Sequence, residues 1–338
     1  MLTTVSFFYQ PGALHLYSLI TQFFIMRFAV SVNQQQAHPV ITLKDKQGGC
    51  RAEIFAFGGL LNAFHIPLKG KIVNCIEGFS SVADARKNIA NSFRSAKISP
   101  FVCRMRNGTY QLQNKTYRVH KHYLGEHAIH GLVYDARFTV EKEQATDEFA
   151  SVLLKFNYTQ TDQGYPFAYT LSLLWKLEKG NRISVITSIR HSNNQSIPYA
   201  DGWHPYFTLG GKVDNYTLQF NGDTQLIFDK ELLPTGKKKK DTRFLKGLPL
   251  KGVVLDNSFE YLPGQSRRAV LKSRDLQLVV EPDEHYPILQ VYTPLSRKSI
   301  AIENLSGAPD NFNNGIGLVM LEPNKTHSFS TSYTVTTL

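Results

Sequence analysis

The sequence lacks the short motifs through which enzymes commonly bind nucleotides or zinc, or present a nucleophilic serine. No Walker A loop, no dinucleotide-binding G-x-G-x-x-G, no H-E-x-x-H and no G-x-S-x-G elbow occurs in its 338 residues. We therefore expect chemistry that side chains carry out with no cofactor and no metal. Polar residues within apolar or aromatic runs are the first candidates, because their burial needs a reason.

Cysteine is scarce as well, since Cys50, Cys75 and Cys103 are the three in the chain. An odd number without C-x-x-C spacing argues against a disulfide framework and against a cysteine-rich metal site. Such cysteines are typical of a reducing compartment, where they behave as small buried apolar residues. We therefore expect a cytoplasmic protein, with export or membrane anchoring through residues 1–25 as the alternative.

Charged side chains are absent from Met1 to Met26, a stretch rich in leucine and phenylalanine. The interpretation we favour is that translation starts at Met26, which makes residues 1–25 a start-site artefact. A signal or anchor is the alternative, although the stretch has neither a basic beginning nor a clear small-residue cleavage site. The fold is therefore argued for residues 26–338 alone.

Acidic residues are outnumbered, with 38 Lys and Arg against 27 Asp and Glu and a net charge of +11. This excess favours an anionic partner, such as a phosphosugar, nucleic acid or a membrane surface, without choosing among them. The densest basic run, Lys237 to Lys240, follows Pro234-Thr235-Gly236 and is expected to be a solvated turn or hairpin tip. Aromatic residues do not interleave with the basic ones, so we expect no nucleic acid partner. A membrane partner has support from residues 1–25 alone, and we do not expect one.

The apolar pattern predicts an all-β protein. Polar and apolar residues largely alternate in Arg182 to Ile189 and again in Ser328 to Val335, which is typical of antiparallel strands with one wet face. One helix is predicted from Ser81 to Phe93, because Ser81 and Asp84 form a capping-box-like start. No linker or repeat divides the chain, so residues 26–338 are predicted to form one large antiparallel β-sandwich domain with one or two short helices; the length leaves a two-domain division open.

The first candidate site residue is His204, which stands in the segment Tyr199-Ala-Asp-Gly-Trp-His-Pro-Tyr-Phe207. Its neighbours Trp203 and Tyr206 offer aromatic walls that stack on the C–H faces of sugars and lower the local dielectric. A histidine of near-neutral pKa is a proton donor in such a place. The alternative is a core histidine that is hydrogen-bonded to backbone.

The second candidate is Glu303, which stands near the end of the apolar run Ser299 to Leu305, just before a turn. A strand end holds a catalytic base in place and the turn exposes it. A surface glutamate at a strand end is the alternative.

The third candidate is the pair Arg104 and Arg106, which an alternating strand places on one face, followed downstream by His130-Gly131. Two arginines on one face bind sugar oxygens or phosphate. They are equally suited to keeping an edge strand soluble.

Four segments, taken in order, resemble the aldose 1-epimerase (galactose mutarotase-like) superfamily. They are P-F-x-x-R-x-R-x-G-x-Y from Pro100, H-G at His130, G-W-H-P-Y-F from Gly202 and E-N-x-S-G-A-P-D from Glu303. The resemblance runs from about residue 50 to residue 337. It implies an antiparallel supersandwich with the sugar in a cleft on its concave face.

The same resemblance implies the roles of the residues. His204 matches the general acid and Glu303 the general base of a reaction that opens an aldose ring and recloses it as the other anomer, without a cofactor. Arg104 and His130 match residues that bind sugar hydroxyls and the ring-oxygen side, and Asp256 matches more loosely a substrate-binding aspartate. The implied partner is a small sugar, free or phosphorylated, and we expect a monomer or a homodimer.

Two departures point to a divergent branch. Cys103 stands where many members have asparagine, and Trp203 and Pro205 flank His204 where the best-studied branch has asparagine and a small residue. These changes leave the preferred sugar open. A hexose-6-phosphate 1-epimerase remains an alternative because of the two arginines and the net charge, and so does a non-catalytic carbohydrate-binding protein.

Overall fold

The computed structural model describes residues 26–34 and 37–338. Two α-helices are described, α1 (Val82–Ser92) and α2 (Asn311–Asn314), with short 3-10 turns at Arg106–Gly108, Val213–Asn215 and Arg243–Lys246. The strands are β1 (Phe28–Asn33), β2 (Val40–Asp45), β3 (Arg51–Phe55), β4 (Leu61–Leu68), β5 (Lys71–Asn74), β6 (Ala96–Ile98), β7 (Arg104–Met105), β8 (Thr109–Leu112), β9 (Lys115–Arg118), β10 (Tyr123–Leu124), β11 (His127–Ile129), β12 (Thr139–Ala145), β13 (Phe149–Tyr158), β14 (Tyr169–Glu178), β15 (Arg182–Arg190), β16 (Ile197–Tyr199), β17 (Gly202–His204), β18 (Tyr206–Phe207), β19 (Thr217–Phe220), β20 (Gly222–Phe228), β21 (Pro234–Lys240), β22 (Leu248–Pro249), β23 (Asp256–Tyr261), β24 (Ala269–Lys272), β25 (Leu276–Pro282), β26 (Ile288–Tyr292), β27 (Ile300–Leu305), β28 (Val319–Leu321) and β29 (Thr326–Thr337).

Two large antiparallel sheets dominate the described chain. One has nine strands in the order β12-β13-β14-β15-β29-β25-β24-β19-β22. The other has eight in the order β21-β20-β23-β26-β27-β17-β6, with β18 also paired to β27. A five-stranded sheet runs from β1 to β5 in sequence order, and a three-stranded sheet has the order β10-β11-β7.

The core lies between the two large sheets. Aromatic side chains meet there from both sides: the rings of Trp175 on β14 and Trp203 on β17 are 5.2 Å apart, as are those of Phe207 on β18 and Tyr333 on β29. They belong to one continuous cluster of buried apolar residues. The predicted all-β antiparallel sandwich is therefore confirmed.

Strand β15 shows how the sequence pattern produces this packing. Ile183, Val185 and Ile189 are buried and alternate with more exposed residues, as period-two alternation requires. The strand pairs with β14 on one side and β29 on the other. The two alternating segments predicted to be strands are thus neighbours in one sheet.

The predicted helix forms as α1. Ser81 caps its start, because its hydroxyl accepts a hydrogen bond from the backbone N–H of Asp84 at 3.1 Å. Val82, Ala85 and Ile89 are buried on one face. The helix ends where Phe93 adopts a left-handed conformation with φ of 52°.

The lysine run from Lys237 to Lys240 forms part of strand β21 at the edge of the eight-stranded sheet, so the predicted turn is wrong. Its solvation is as expected, since the run is exposed. Two lysines find carboxylate partners on other strands of the sheet: Lys240 lies 2.8 Å from Asp223 on the adjacent β20, and Lys238 lies 2.7 Å from Glu260 on β23, one strand further. Those cross-strand pairs favour the extended conformation, and lysines at an edge discourage further pairing.

The three cysteines are free and buried. Burial raises the pKa of the Cys75 thiol to about 12, so this thiol is protonated at neutral pH. No disulfide joins these three cysteines in the described structure.

The interpretations of residues 1–25 concern a segment outside the described residues and stay predictions. Between residues 26 and 338, with residues 35 and 36 left aside, no helix is long and apolar enough to cross a membrane.

Candidate active site

A cavity of about 230 Å³ lies against the eight-stranded sheet. Strands β17, β18, β20, β23, β26 and β27 each contribute a side chain to its wall, and the three-stranded sheet and the end of α1 close the other side. Charged and polar side chains in its wall include Arg104, His130, His204, Asp256, Gln290 and Glu303.

His204 and Glu303 meet in the wall of this cavity, with Nε2 of His204 3.4 Å from Oε1 of Glu303. His204 ends strand β17, because Pro205 has no N–H with which to continue the ladder. Pairing with β27 resumes at β18, where Tyr206 stands opposite Ala301. Gly202 before the break stands opposite Leu305, so the register on both sides of the break sets His204 across from Glu303.

Glu303 lies inside β27, not at its exposed end as the sequence analysis expected. The pairing of β27 with β26 continues past it through Asn304 and Leu305, and Glu303 is 2% exposed. That expectation is wrong because the ladder extends the strand two residues further before the turn begins. The carboxylate is presented to the cavity from within the sheet.

Burial determines the protonation of this pair. It lowers the pKa of the His204 imidazole to about 4. It also raises the pKa of Glu303 well above the usual range of a carboxyl group, and the nearby Asp256 raises it further. Both shifts favour a pair without net charge, in which the two groups share a single proton, because that arrangement leaves no uncompensated buried charge.

Two aromatic side chains hold the His204 imidazole in place. The ring of Tyr206 stacks on it with 5.0 Å between centroids, and His130 meets it edge-on at 4.9 Å. Phe93 packs on His130 at 4.5 Å. Burial, and after it the neighbouring His204 and Arg104, lower the pKa of His130 well below its usual value. His130 is therefore neutral at neutral pH, with one ring nitrogen to donate and one to accept.

Arg104 and His130 reach the cavity from adjacent strands. Arg104 on β7 stands opposite Ile129 on β11, and His130 directly follows β11. The backbone N–H of His130 donates to the carbonyl oxygen of Cys103 at 2.9 Å. The two residues that resemblance assigned to sugar binding thus lie side by side.

Arg106 does not line the cavity. Strand β7 ends at Met105, and Arg106 begins a 3-10 turn. Its guanidinium lies 3.1 Å from a carboxylate oxygen of Asp229 and 3.5 Å from one of Glu231. The expectation that the two arginines share a face is wrong, because the strand is too short to continue the alternation.

Trp203 does not line the cavity either, which corrects its assignment as a substrate-binding residue. Successive side chains on a strand point to opposite faces, so a cavity-facing His204 sends Trp203 into the core. Its ring is 2% exposed, packs on Trp175 at 5.2 Å and lies under the ammonium group of Lys97 at 4.5 Å. Of the two aromatic candidates, Tyr206 is the one at the cavity.

Asp256 lines the cavity at the start of β23 and belongs to a short chain of hydrogen bonds. Nε2 of Gln290 donates to its Oδ1 at 2.8 Å, and the hydroxyl of Ser258 donates to Oε1 of Gln290 at 2.5 Å. Burial raises the pKa of Asp256, while Arg104 and Gln290 oppose that effect. The chain of bonds holds the carboxyl group in the cavity wall.

Sequence reasoning missed much of the cavity wall, including the polar or aromatic residues Gln290, Tyr292, Phe93 and His122. Gln290 has a signal, since it is the one polar residue between the apolar residues of Ile288-Leu-Gln-Val-Tyr292. Phe93 ended the predicted helix, and the backbone turn that directs it to the cavity is not visible in the sequence. His122 lies between two short strands, where no periodicity marks it.

The part of the chain that the structure describes contains no group of three or more His, Cys, Asp or Glu side chains placed to hold a metal ion. Within the cavity the acidic groups have other partners, His204 for Glu303 and Gln290 for Asp256.

Comparison with known families identifies the class of protein to which this fold and cavity belong. Residues 39–334 match the family model described as aldose 1-epimerase. The chain belongs to the aldose 1-epimerase family.

Two relatives show how far this sequence has diverged from known members of the family. The chain is 26% identical over 241 residues to the uncharacterized protein YihR of Escherichia coli strain K12, covering 68% of this chain and 75% of that protein. It is also 26% identical over 189 residues to an aldose 1-epimerase of Streptococcus thermophilus, covering 54% of this chain and 52% of that protein. Both relationships are remote.

Solved structures share the fold. An aldose epimerase homologue from C. elegans superimposes with a TM-score of 0.77 at 20% identity, covering 89% of this chain and all of that one. A galactose 1-epimerase from Lactobacillus acidophilus NCFM gives a TM-score of 0.77 at 19% identity, covering 92% and 99% of the two chains. At this identity the likeness establishes the fold alone.

Proposed function

We propose that the protein is an aldose 1-epimerase that interconverts the α and β anomers of a free aldose, with Glu303 as general base and His204 as general acid. The observation that carries this proposal is the 3.4 Å separation of His204 Nε2 and Glu303 Oε1 beside a cavity of about 230 Å³. Ring opening needs a base at the anomeric hydroxyl and an acid at the ring oxygen. Both oxygens are bonded to C1, so an acid and a base that lie side by side match the reaction.

The steps balance within the pair. Glu303 takes the proton of the anomeric hydroxyl, and the C1–O1 bond becomes a carbonyl. The bond from C1 to the ring oxygen breaks, and its electrons take the proton that His204 gives. Rotation about the C1–C2 bond presents the other face of the aldehyde, and the reverse transfers close the ring as the second anomer.

The proton count of the resting site supports these roles. The mechanism uses one proton in the pair, carried by His204 when Glu303 is the base. The resting pair also holds one proton, since burial lowers the pKa of His204 and raises that of Glu303. Moving this proton across the 3.4 Å contact gives the reactive form without exchange with solvent.

The remaining polar groups of the wall are suited to hold sugar hydroxyls. Arg104 offers donors, Asp256 offers acceptors and His130 offers one of each. Tyr206 and Phe93 supply aromatic surface for C–H groups. A ligand held by such groups keeps its C1 in place while the ring opens.

A free aldose fits the charge of the wall better than a phosphorylated one. Among the described residues that line the cavity, Arg104 is the one arginine and lysine is absent, whereas Asp256 and Glu303 are both acidic. Arg106, which motivated the phosphosugar alternative, is held between Asp229 and Glu231. An incoming phosphate has to compete with those carboxylates.

The proposal is tested by following anomer interconversion with NMR or polarimetry for a panel of free aldoses and their 6-phosphates. We expect Glu303→Gln and His204→Asn each to lower the rate by a factor of about 10² or more, as for loss of a general acid or base. Matched controls are His191→Asn and Glu260→Gln, which make the same changes away from the cavity.

Two results contradict the proposal. Unchanged rates in both site variants exclude the assigned mechanism. A parent protein that binds an aldose without accelerating its interconversion is a carbohydrate-binding protein and not an epimerase.

A further inference from the structure

A buried ion pair lies directly behind the strand that carries His204. Nζ of Lys97 on β6 lies 2.5 Å from Oδ2 of Asp201, and both side chains are fully buried. The ammonium group also donates to the carbonyl oxygen of Gly202 at 3.3 Å and lies 4.5 Å from the centre of the Trp203 ring. Lys97 thus contacts each of the three residues that precede His204.

The Asp201 carboxylate is further held by two tyrosines. The hydroxyl of Tyr199 donates to its Oδ1 at 3.0 Å, and that of Tyr286 donates to its Oδ2 at 2.6 Å. Tyr286 lies just before β26, the strand next to β27. Three donors from separate segments therefore converge on one carboxylate behind the cavity.

Asp201 is also tied to the strand of Glu303. Its backbone N–H donates to the hydroxyl of Ser306 at 2.8 Å, and the N–H of Ser306 donates to the carbonyl oxygen of Asp201 at 2.8 Å. Ser306 stands three residues after Glu303, and Asp201 stands three residues before His204. The reciprocal bonds therefore join the segments of the acid and the base.

A buried ion pair is costly and is weak evidence for stability, since desolvation of two charges offsets much of their attraction. Burial lowers the pKa of Lys97 to about 8, although the attraction of Asp201 opposes this shift. In most protein cores apolar residues occupy such positions, because their burial carries no desolvation penalty for charge. The pair lies where the neighbouring strands β6, β17 and β27 meet behind the cavity, so it is suited to hold these three strands in register.

We propose that Lys97, Asp201 and Ser306 form a positioning unit that holds His204 against Glu303. The inference rests on the proposed function, because it explains how that acid and base are kept at reactive distance. None of the three residues lines the cavity, so the unit acts through the backbone of β17 and β27. A displacement of about 1 Å at the reacting groups is enough to lower a rate by about 10²-fold.

The test separates positioning from stability with the double variant Lys97→Met, Asp201→Asn. Each single change leaves a buried charge without its partner and is expected to lower the melting temperature strongly. The double change removes both charges, so the melting temperature is expected to return close to that of the parent. We expect kcat nevertheless to stay at least about tenfold below the parent while KM changes less than about twofold.

Ser306→Ala is the second variant, because it removes the hydroxyl that accepts a hydrogen bond from the N–H of Asp201, while the ion pair and the backbone bond from Ser306 to Asp201 are kept. It is expected to lower kcat in the same way, and it tests the positioning role on its own if the double variant does not fold. The matched control is Arg27→Met with Asp45→Asn, which removes an ion pair of 2.7 Å far from the cavity. We expect the control to keep the parent's kcat.

A readout that does not depend on catalysis is the NMR titration of the His204 imidazole, assigned by comparison with His204→Asn. The groups that face this ring are Glu303, His130 and Tyr206, and they are unchanged in the positioning variants. If β17 moves from β27, the ring gains water and its titration midpoint is expected to rise. The control pair is expected to leave the midpoint unchanged.

The outcomes distinguish the two proposals. A stable double variant with the parent's kcat and the parent's His204 midpoint overturns the positioning role, as does a Ser306→Ala variant that keeps both. A parent without epimerase activity contradicts the proposed function alone, and the His204 titration then decides the positioning role by itself.

Discussion

Gln290 and Glu303 lie directly opposite each other on β26 and β27, and Gln290 also donates a hydrogen bond of 2.8 Å to Asp256. One neutral amide thus stands next to both carboxyl groups of the cavity. It gives Asp256 a donor and adds no charge beside Glu303, whose pKa Asp256 already raises.

Gln290→Glu tests this arrangement. A third carboxyl removes the donor and disfavours ionisation of its neighbours. We expect kcat/KM at neutral pH to fall at least about tenfold, with partial recovery at lower pH as the new carboxyl is protonated. Steady-state kinetics across pH measures this, and Gln277→Glu on β25, away from the cavity, is the control. If the variant keeps the parent's kcat/KM, Gln290 does not contribute to the reaction.

The pH dependence of kcat/KM follows from the single proton of the pair. As pH falls, the pair takes up a second proton at His204, and no group is left to act as the base. Because burial lowers the pKa of His204 to about 4, this acid limb lies below that of an ordinary histidine. As pH rises, the pair loses its one proton, and the raised pKa of Glu303 moves this limb above the usual carboxyl range. Rates corrected for the spontaneous reaction give the profile. An acid limb near 6.5, the ordinary value for histidine, contradicts the assignment.

The fold was predictable because its signals are local. Alternation in Arg182 to Ile189 requires a strand with one buried face, and that face then needs a second sheet to cover it. The cap at Ser81 marks the start of α1 equally well. The extended conformation of the lysine run was not predictable. It depends on the carboxylates of Asp223 and Glu260, which lie on other strands of the sheet.

The site was predictable only in part, because a strand pattern does not say which face meets a cavity. Trp203 and Tyr206 looked alike beside His204, and only the strand directions separate them. The position of Glu303 within β27 depends on a ladder with β26 that no local signal reveals. Lys97 and Asp201 are 104 residues apart, so their pairing was also beyond the sequence.

Trp203→Phe and Tyr206→Leu test the correction made to Trp203. Trp203 packs in the core, so Trp203→Phe is expected to lower the free energy of unfolding by about 2 kcal/mol and to leave KM within about twofold. Tyr206 lines the cavity, so Tyr206→Leu is expected to raise KM several-fold. Chemical denaturation and initial rates measure both. A large rise of KM in Trp203→Phe alone places Trp203 at the sugar after all.

Gly131 is required by the backbone beside His130. Its φ is +76°, and an added Cβ lies 2.2 Å from the carbonyl oxygen of Ser99, a backbone atom that cannot rotate away. Gly131→Ala is therefore expected to lower the free energy of unfolding by about 3 kcal/mol or more. Gly125→Ala is the control, since its φ is +65° and nothing lies within 4 Å, so it is expected to lose only about 1 kcal/mol. Equal losses in the two variants contradict the steric argument.

Phosphate discriminates between the free and the phosphorylated substrate. Arg106 is held by Asp229 and Glu231, and Arg104 shares the cavity with two carboxyl groups, so millimolar inorganic phosphate is expected not to inhibit interconversion of a free aldose. Arg106 does not line the cavity, but the segment that holds it, Asp229 to Glu231, is followed at once by Leu232, which does. Asp229→Asn with Glu231→Gln frees the guanidinium of Arg106 beside the cavity, and we expect inhibition by phosphate to appear in that variant, because an unpaired arginine binds phosphate through two hydrogen bonds. Inhibition curves for parent and variant are compared at constant ionic strength, since a general salt effect acts on both alike. Competitive inhibition of the parent, together with faster turnover of a hexose 6-phosphate than of the free hexose, assigns the protein to phosphorylated sugars instead.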